Sequence, residues 1–422
     1  MNQVSRIHHE RGKIMKKSVP AAVIVGMIVA LGVLAPSPAA AQETLLIGQA
    51  VPLSGPAASW GVGQMRFLEM LEEGINAKGG LNIGGKRYLV KHVSYDHKVD
   101  LDTTIKVTNK LVFEHKVKFM FGCAVGATCR AAQTITAPNN VMFSFSCWGK
   151  ELLTKDVPLN FRAEHSPWEV CDIYYLGMKK RFPNLKQLAT ISPNDTSGWD
   201  GAKGAIAAAK KAGINCVAEE YYERAQEDFH GVLGRILAKK PDIIDLATSP
   251  MGTGGLILKQ LHELGYRGLK AWVAGTMPPA AIKVCGPEAA EDLYNEMYWD
   301  FYGKYTTPEL RALVKEYERR YKEPVDYVTV GQYCFMKAAF ESMEKAQTLD
   351  PVKLADAIVA GAPYKSVLGP YMFGMADFYK GKPRQALHPM VLSAIKGGKV
   401  VNLGYELHEE LKAKVGDWKF PE

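Results

Sequence analysis

The segment Gly80-Leu81-Asn82-Ile83-Gly84-Gly85-Lys86-Arg87 falls one residue short of a phosphate-binding loop. Such a loop needs glycine N–H groups, a lysine and a Ser/Thr hydroxyl, set between a strand and a helix. Arg87 replaces the hydroxyl, and the stretch follows a helical pattern and opens a strand, which is the reverse order. No Gly-x-Ser-x-Gly elbow is present, and the ten histidines form no metal-binding pair on a helix. The seven cysteines, Cys123, Cys129, Cys147, Cys171, Cys216, Cys285 and Cys334, contain no Cys-x-x-Cys pair. Cys123 and Cys147 follow adjacent expected strands with Cys129 one helical turn beyond the first, so a Cys123–Cys147 disulfide is an expectation; no metal site is. With no constellation for catalysis, the chain is expected to be no enzyme and to need no cofactor.

The elements that carry these residues alternate. Short runs rich in Val, Ile and Leu near residues 45–48, 88–95, 117–121 and 141–146 read as strands, separated by helical periodicity at 63–78, 103–113 and 127–137. The rhythm restarts with strands at 187–191, 216–221, 243–246 and 271–274 and helices at 201–211, 229–239 and 255–264. Repeated βα units imply parallel sheets, so the fold class is α/β with two doubly wound lobes. Helices at 308–321, 328–346 and 351–360 and a closing strand at 390–396 complete both lobes.

The amino terminus carries an address. Arg11, Lys13, Lys16 and Lys17 lead into an apolar run over 19–34 and then Ala39-Ala40-Ala41, the three-part layout of a secretory signal peptide. A spanning helix needs ~20 apolar residues, so an uncleaved anchor is the weaker reading. Met15 is an alternative start. Without the first 41 residues the formal charge falls from +8 to +4, because five basic residues and Glu10 leave. So small a surplus, with no basic block, excludes nucleic acid and an anionic membrane face as partners.

Pro52-Leu53-Ser54-Gly55-Pro56, then Trp60-Gly61, then Ile75-Asn76-Ala77-Lys78-Gly79-Gly80, resembles the opening of the branched-chain amino acid type of periplasmic binding protein. Further matches follow in order: Phe121-Gly122, Leu152-Leu153-Thr154 with Phe161-Arg162, Asp195-Thr196-Ser197-Gly198, Asp228-Phe229, Pro241-Asp242, Gly369-Pro370 and Lys396-Gly397-Gly398-Lys399. The resemblance implies the type I fold, two lobes joined by three crossings, with solute captured in the cleft as it closes. Lobe 1 is expected to span 42–165 and 300–368, and lobe 2 to span 166–299 and 369–422. It implies a monomeric periplasmic receptor that hands solute to the membrane permease of an ABC importer. A sensor for a membrane receptor would share the fold and the cleft.

By the same resemblance, the ligand contacts fall on Trp60, on Cys123, Ala124, Gly126, Ala127 and Thr128 after the third strand, and on Cys147, Trp148 and Gly149 after the fourth. Lobe 2 would add Ser197, Trp199 and Thr276. The loop at Gly275-Thr276-Met277 falls where amino-acid binders place a carboxylate for the ligand ammonium, and it holds no acid. Asp195 or Glu164 is left as the ammonium partner. A buried ammonium without a carboxylate is costly. Trp60, Phe145, Trp148 and Trp199 offer flat apolar walls, so an aromatic or aliphatic carboxylate, or a neutral amide, fits better than a branched-chain amino acid.

Overall fold

In the computed structural model, the described residues run from Gln42 to Pro421, except Pro56, 274–277, 298–300 and Tyr302. The expected signal peptide, residues 1–41, and Thr276 lie outside them. No helix among the described residues is long and apolar enough to cross a membrane.

The first sheet takes β1 (Gln42–Val51), β2 (Leu81–Ile83), β3 (Lys86–Asp96), β4 (Phe119–Ala124), β5 (Met142–Ser146) and β6 (Asn160–Arg162). The second takes β7 (Gln187–Pro193), β8 (Asn215–Tyr222), β9 (Ile243–Asp245), β10 (Leu269–Ala271) and β11 (Leu293–Met297). The chain then returns to the first sheet through β12 (Tyr364–Ser366), β13 (Gly369–Gly374) and β14 (Gln385–Leu387). It re-enters the second with β15 (Met390–Lys396) and β16 (Lys399–Glu406). The orders are β12-β13-β14-β6-β5-β4-β1-β3-β2 and β16-β15-β11-β10-β9-β7-β8. Lobe 2 therefore does not resume at residue 369 as expected, because the strands at 369–374 and 385–387 pair within the first sheet.

Strand alternation divides the core. Phe119 and Phe121 of β4 enter one apolar cluster and Met120 and Cys123 the other, as a pleat requires when both sheet faces are covered. In lobe 2, Leu188 of β7 faces one cluster while Ala189 and Ile191 face the other. Each lobe opens with the same close approach. A Cβ on Gly61 would stand 1.9 Å from the Pro52 carbonyl oxygen, and one on Gly198 would stand 1.8 Å from that of Pro193. Only glycine lets each helix lie that near the strand before it.

The stretch resembling a phosphate loop is a hairpin. β2 and β3 pair antiparallel around Gly84 and Gly85, at φ 59° and 75°, the double positive φ of a tight two-residue turn. Beyond β16 the chain goes back to lobe 1. Leu411, in helix Glu409–Val415, joins the cluster of Met372, Met375 and Leu387, and the Glu410 carboxylate accepts from the Met375 N–H at 3.1 Å.

Candidate functional site

The parallel strands of both sheets end facing one cleft. From lobe 1 it is lined by Trp60, Val125, Ser146, Cys147, Trp148, Tyr327 and Val328, and from lobe 2 by Ser197, Arg224, Thr248 and Ser249. Glu164, at the crossing between lobes, completes the wall. The cavity is about 60 Å³, small beside the ~300–1,000 Å³ of common ligand pockets, so the two walls stand close together. A Cβ on Gly126 of lobe 1 would lie 3.1 Å from Ser197 Oγ of lobe 2.

One buried cation shapes the lobe 1 wall. Arg162 donates from Nε to the Cys147 carbonyl at 2.8 Å and from Nη2 to the Gly149 carbonyl at 2.7 Å. Its Nη1 reaches Tyr379 Oη and Gln385 Oε1, both at 2.7 Å. With every face of the guanidinium engaged, the loop between those carbonyls has one geometry. Trp148 is fixed further by donation from Nε1 to the His165 carbonyl at 3.1 Å.

In lobe 2, Asp195 caps helix Thr196–Lys211, accepting from the Ser197 and Gly198 N–H groups at 3.0 Å each. Its other oxygen accepts from Arg224 Nε at 2.5 Å. Thr248 follows β9 in a turn held by Trp272 Nε1, which donates to the Ser249 carbonyl at 3.0 Å.

Three cleft residues keep buried polar atoms without a hydrogen-bond partner: Ser146 Oγ, Glu164 Oε2 and Thr248 Oγ1. Leaving such a group unsatisfied costs ~1–3 kcal/mol, so these atoms are set for something that enters. Burial, reinforced by Asp326 and Glu169 and only partly countered by Arg162, pushes the Glu164 carboxyl well above the usual range. It presents a neutral acid. Helix Gly126–Thr136 and helix Thr196–Lys211 also meet here by their N-termini, the positive ends of their dipoles.

The structure brings Trp60, Cys147, Trp148, Ser197 and Glu164 to the cleft, but it places other expected contacts elsewhere. Thr128 is fully buried, and its hydroxyl donates back to the Ala124 and Val125 carbonyls at 2.9 Å each. The lobe 1 hydroxyl is Ser146 instead. Cys123 and Ala124 are enclosed beneath the loop, Ala127 is exposed on the helix, and Gly149 serves Arg162. Trp199 points outward and donates to Asn194 Oδ1 at 3.1 Å. Phe145 belongs to the core. Asp195 is engaged by Ser197, Gly198 and Arg224 and does not itself line the cleft. All seven cysteines are free thiols, and no group of three ligating side chains among the described residues suits a metal ion. Arg224, Thr248, Ser249 and Tyr327 were not expected from the sequence. For Arg224 a signal was available, since a basic residue two positions after a lobe 2 strand sits where open sheets bind ligands.

Residues 44–399 match the family model described as periplasmic binding protein. The chain belongs to that family. It is of the solute-binding type that serves ABC transporters, and its two-lobed fold is that of the type I members. The chain is 26% identical over 335 residues to Leu/Ile/Val-binding protein homolog 7 of Brucella abortus, a match covering 76% of this chain and 82% of that one. A leucine-binding protein from Thermotoga maritima superposes with a TM-score of 0.74 at 17% identity, covering 87% of this chain and 99% of the other. A solute-binding protein of an ABC transporter from R. palustris, in complex with benzoate, gives 0.71 at 20% identity and covers 87% and 97%.

Proposed function

We propose that this periplasmic binding protein captures a small carboxylate with a flat or apolar body and delivers it unchanged, as a monomer, to the permease of an ABC importer. Export follows from the signal-like residues 1–41. One observation carries the solute class: Arg224, ion-paired through Nε with Asp195, faces the cleft from lobe 2, and burial favours the neutral form of Glu164, the one carboxyl lining it among the described residues. The uncapped N-terminus of helix Gly126–Thr136 adds to an electrostatic field that favours an anion, while Trp60, Trp148 and Tyr327 supply the apolar walls. The orphaned Ser146 and Thr248 hydroxyls and the protonated Glu164 are the hydrogen-bonding groups such a solute meets. The benzoate complex of the R. palustris protein shows that the same fold accommodates an acid of this kind.

A second reading rests on Glu164. An incoming ammonium would draw its proton off, and the site would then take a branched-chain amino acid. A thermal-shift screen of refolded protein from Gln42 onward separates the two. Benzoate-type and branched aliphatic acids are expected to raise the melting temperature, since ligand at 100 times its Kd adds ~2.7 kcal/mol. A shift with leucine, isoleucine or valine and none with the acids would reject the carboxylate reading.

A further inference from the structure

A second layer of polar side chains lies one helical turn beneath the lobe 1 wall. Trp60 lines the cleft from helix Ala58–Asn76, and Gln64 follows it by one turn. Val328 lines the cleft from helix Val328–Ala346, and Gln332 follows it by one turn. Residues so spaced share one face of a helix, ~6 Å apart along its axis. The two helices meet closely here, since a Cβ on Gly63 would stand 2.6 Å from Thr329 Cγ2. Both glutamines are fully buried.

Strand ends bring the rest of the layer to the same place. Ser144 and Ser146 point to one side of β5, and β4 runs beside them, pairing Phe121 with Ser144 and Ala124 with Ser146. Gly122 lies in the irregularity between those pairs at φ 136°, and a Cβ on it would stand 2.9 Å from Gln64 Oε1. Gln332 Nε2 donates to Ser144 Oγ at 2.5 Å, and a Cβ on Gly331 would stand 3.1 Å from Glu164 Cβ. Gln64 Oε1, Gln64 Nε2, Gln332 Oε1, Ser146 Oγ and Glu164 Oε2 are all buried without a hydrogen-bond partner. The neighbouring Gln49 is used at both ends, accepting from Ser94 Oγ at 2.8 Å and donating to the Phe121 carbonyl at 2.7 Å. An amide left open at both ends costs stability. Ser146 and Glu164 join this layer to the cleft.

We propose that this layer is an inner subsite for a hydroxyl group carried by the solute. The inference rests on the carboxylate reading above and deepens it. The acid group is held toward Arg224 and Thr248 of lobe 2, and the flat body lies between Trp60, Trp148 and Tyr327. The far end then enters lobe 1 past Ser146 and Glu164. Chemistry selects what that end carries. The Gln64 amide and the Ser146 hydroxyl both donate and accept, and the Gln332 oxygen accepts. A hydroxyl donates one hydrogen bond and accepts others, so it satisfies such a mixture. A methyl group satisfies none of it, and a second carboxylate meets no cation among these side chains. A site built to bond a hydroxyl discriminates against the analogue that lacks one.

The test is calorimetry on refolded protein from Gln42 onward with benzoate, para-hydroxybenzoate and para-methylbenzoate. The hydroxylated acid is expected to bind ~10-fold more tightly than either of the others. Gln64→Met and Gln332→Met, with folding checked by melting curves, are each expected to cut that preference to about twofold while benzoate affinity holds. Gln64→Met gives up no side-chain hydrogen bond, so its solute-free melting temperature should hold or rise. Where a variant fails to fold, the ranking in the natural protein decides. Equal affinity for the three acids, or a hydroxyl preference that survives in both variants, would overturn the subsite and leave the carboxylate reading standing. Binding of none of them would reject that reading, and the subsite with it.

Discussion

Val125 and Thr248 face the same cleft from opposite lobes, and both are β-branched residues held at positive φ, 78° and 64°. Each follows a strand that ends at the cleft, β4 in lobe 1 and β9 in lobe 2. A β-branched side chain is a poor occupant of that backbone region, and such strain costs ~1–3 kcal/mol and gathers at ligand clamps. The two lobes thus use the same device at matching places.

Thr248→Gly separates the strain from the hydrogen bond. Glycine adopts the positive φ freely, so the solute-free melting temperature is expected to hold or rise, by up to ~1 kcal/mol of stability. Affinity for the acid is expected to fall several-fold as the hydroxyl goes. A lower melting temperature together with unchanged affinity would show that Thr248 supports the fold and not the ligand.

Arg224→Gln and Glu164→Gln form a matched pair. Loss of a charge-assisted hydrogen bond is worth ~1.5–3 kcal/mol, so Arg224→Gln should weaken acid binding ~10–100-fold. Its ion pair with Asp195 is partly exposed, so stability should hardly change. Glu164→Gln should keep acid affinity within a few-fold, because the natural side chain is already neutral. Calorimetry that found the reverse ranking would point to an ammonium ligand.

How much of this was legible beforehand is seen in particular residues. The βα rhythm and both lobes could be read from periodicity, and Trp60, Cys147, Trp148, Ser197 and Glu164 were reached through the resemblance. Arg162 was visible only as part of a motif. That its guanidinium would join residues 147, 149, 379 and 385 depends on two distant segments converging, which no local pattern encodes. Thr128 misled because a first-turn hydroxyl can turn to solvent or back to its own helix, and only packing against His97 decides. β13 and β14 read as lobe 2 because the crossing point leaves no composition signal.

Arg162→Met should destabilise the protein by about 3–5 kcal/mol. It strands the Cys147 carbonyl in a dry interior and takes a charged donor from the Gly149 carbonyl and Gln385 Oε1. Solute affinity should fall as well, because Trp148 loses its fixed loop. Urea unfolding checks the first effect and calorimetry the second; stability within 1 kcal/mol of the natural protein would refute the clamp.

Glu169 gives a pH signature. Burial, only partly offset by hydrogen bonds with Ser166 and by Arg162, raises its carboxyl to about 7. The folded state then holds a proton that the unfolded chain releases near pH 4.5, so the stability this group contributes is full below that pH and is lost as pH rises to about 7. The advantage of the natural protein over Glu169→Gln should shrink across that window by up to ~3 kcal/mol. Melting curves of both proteins from pH 5 to 8 that ran parallel would contradict the assignment.

The interleaving of the two sheets has a genetic consequence. The first sheet is assembled from residues 42–162 and 364–387, and the wall of its binding face is braced by Arg162 against Tyr379 and Gln385. No contiguous stretch of coding sequence holds a whole lobe, so the lobes cannot be exchanged between relatives as cassettes. A lineage of such receptors diversifies by changing the short loops that rim the cleft, on a frame that is inherited entire.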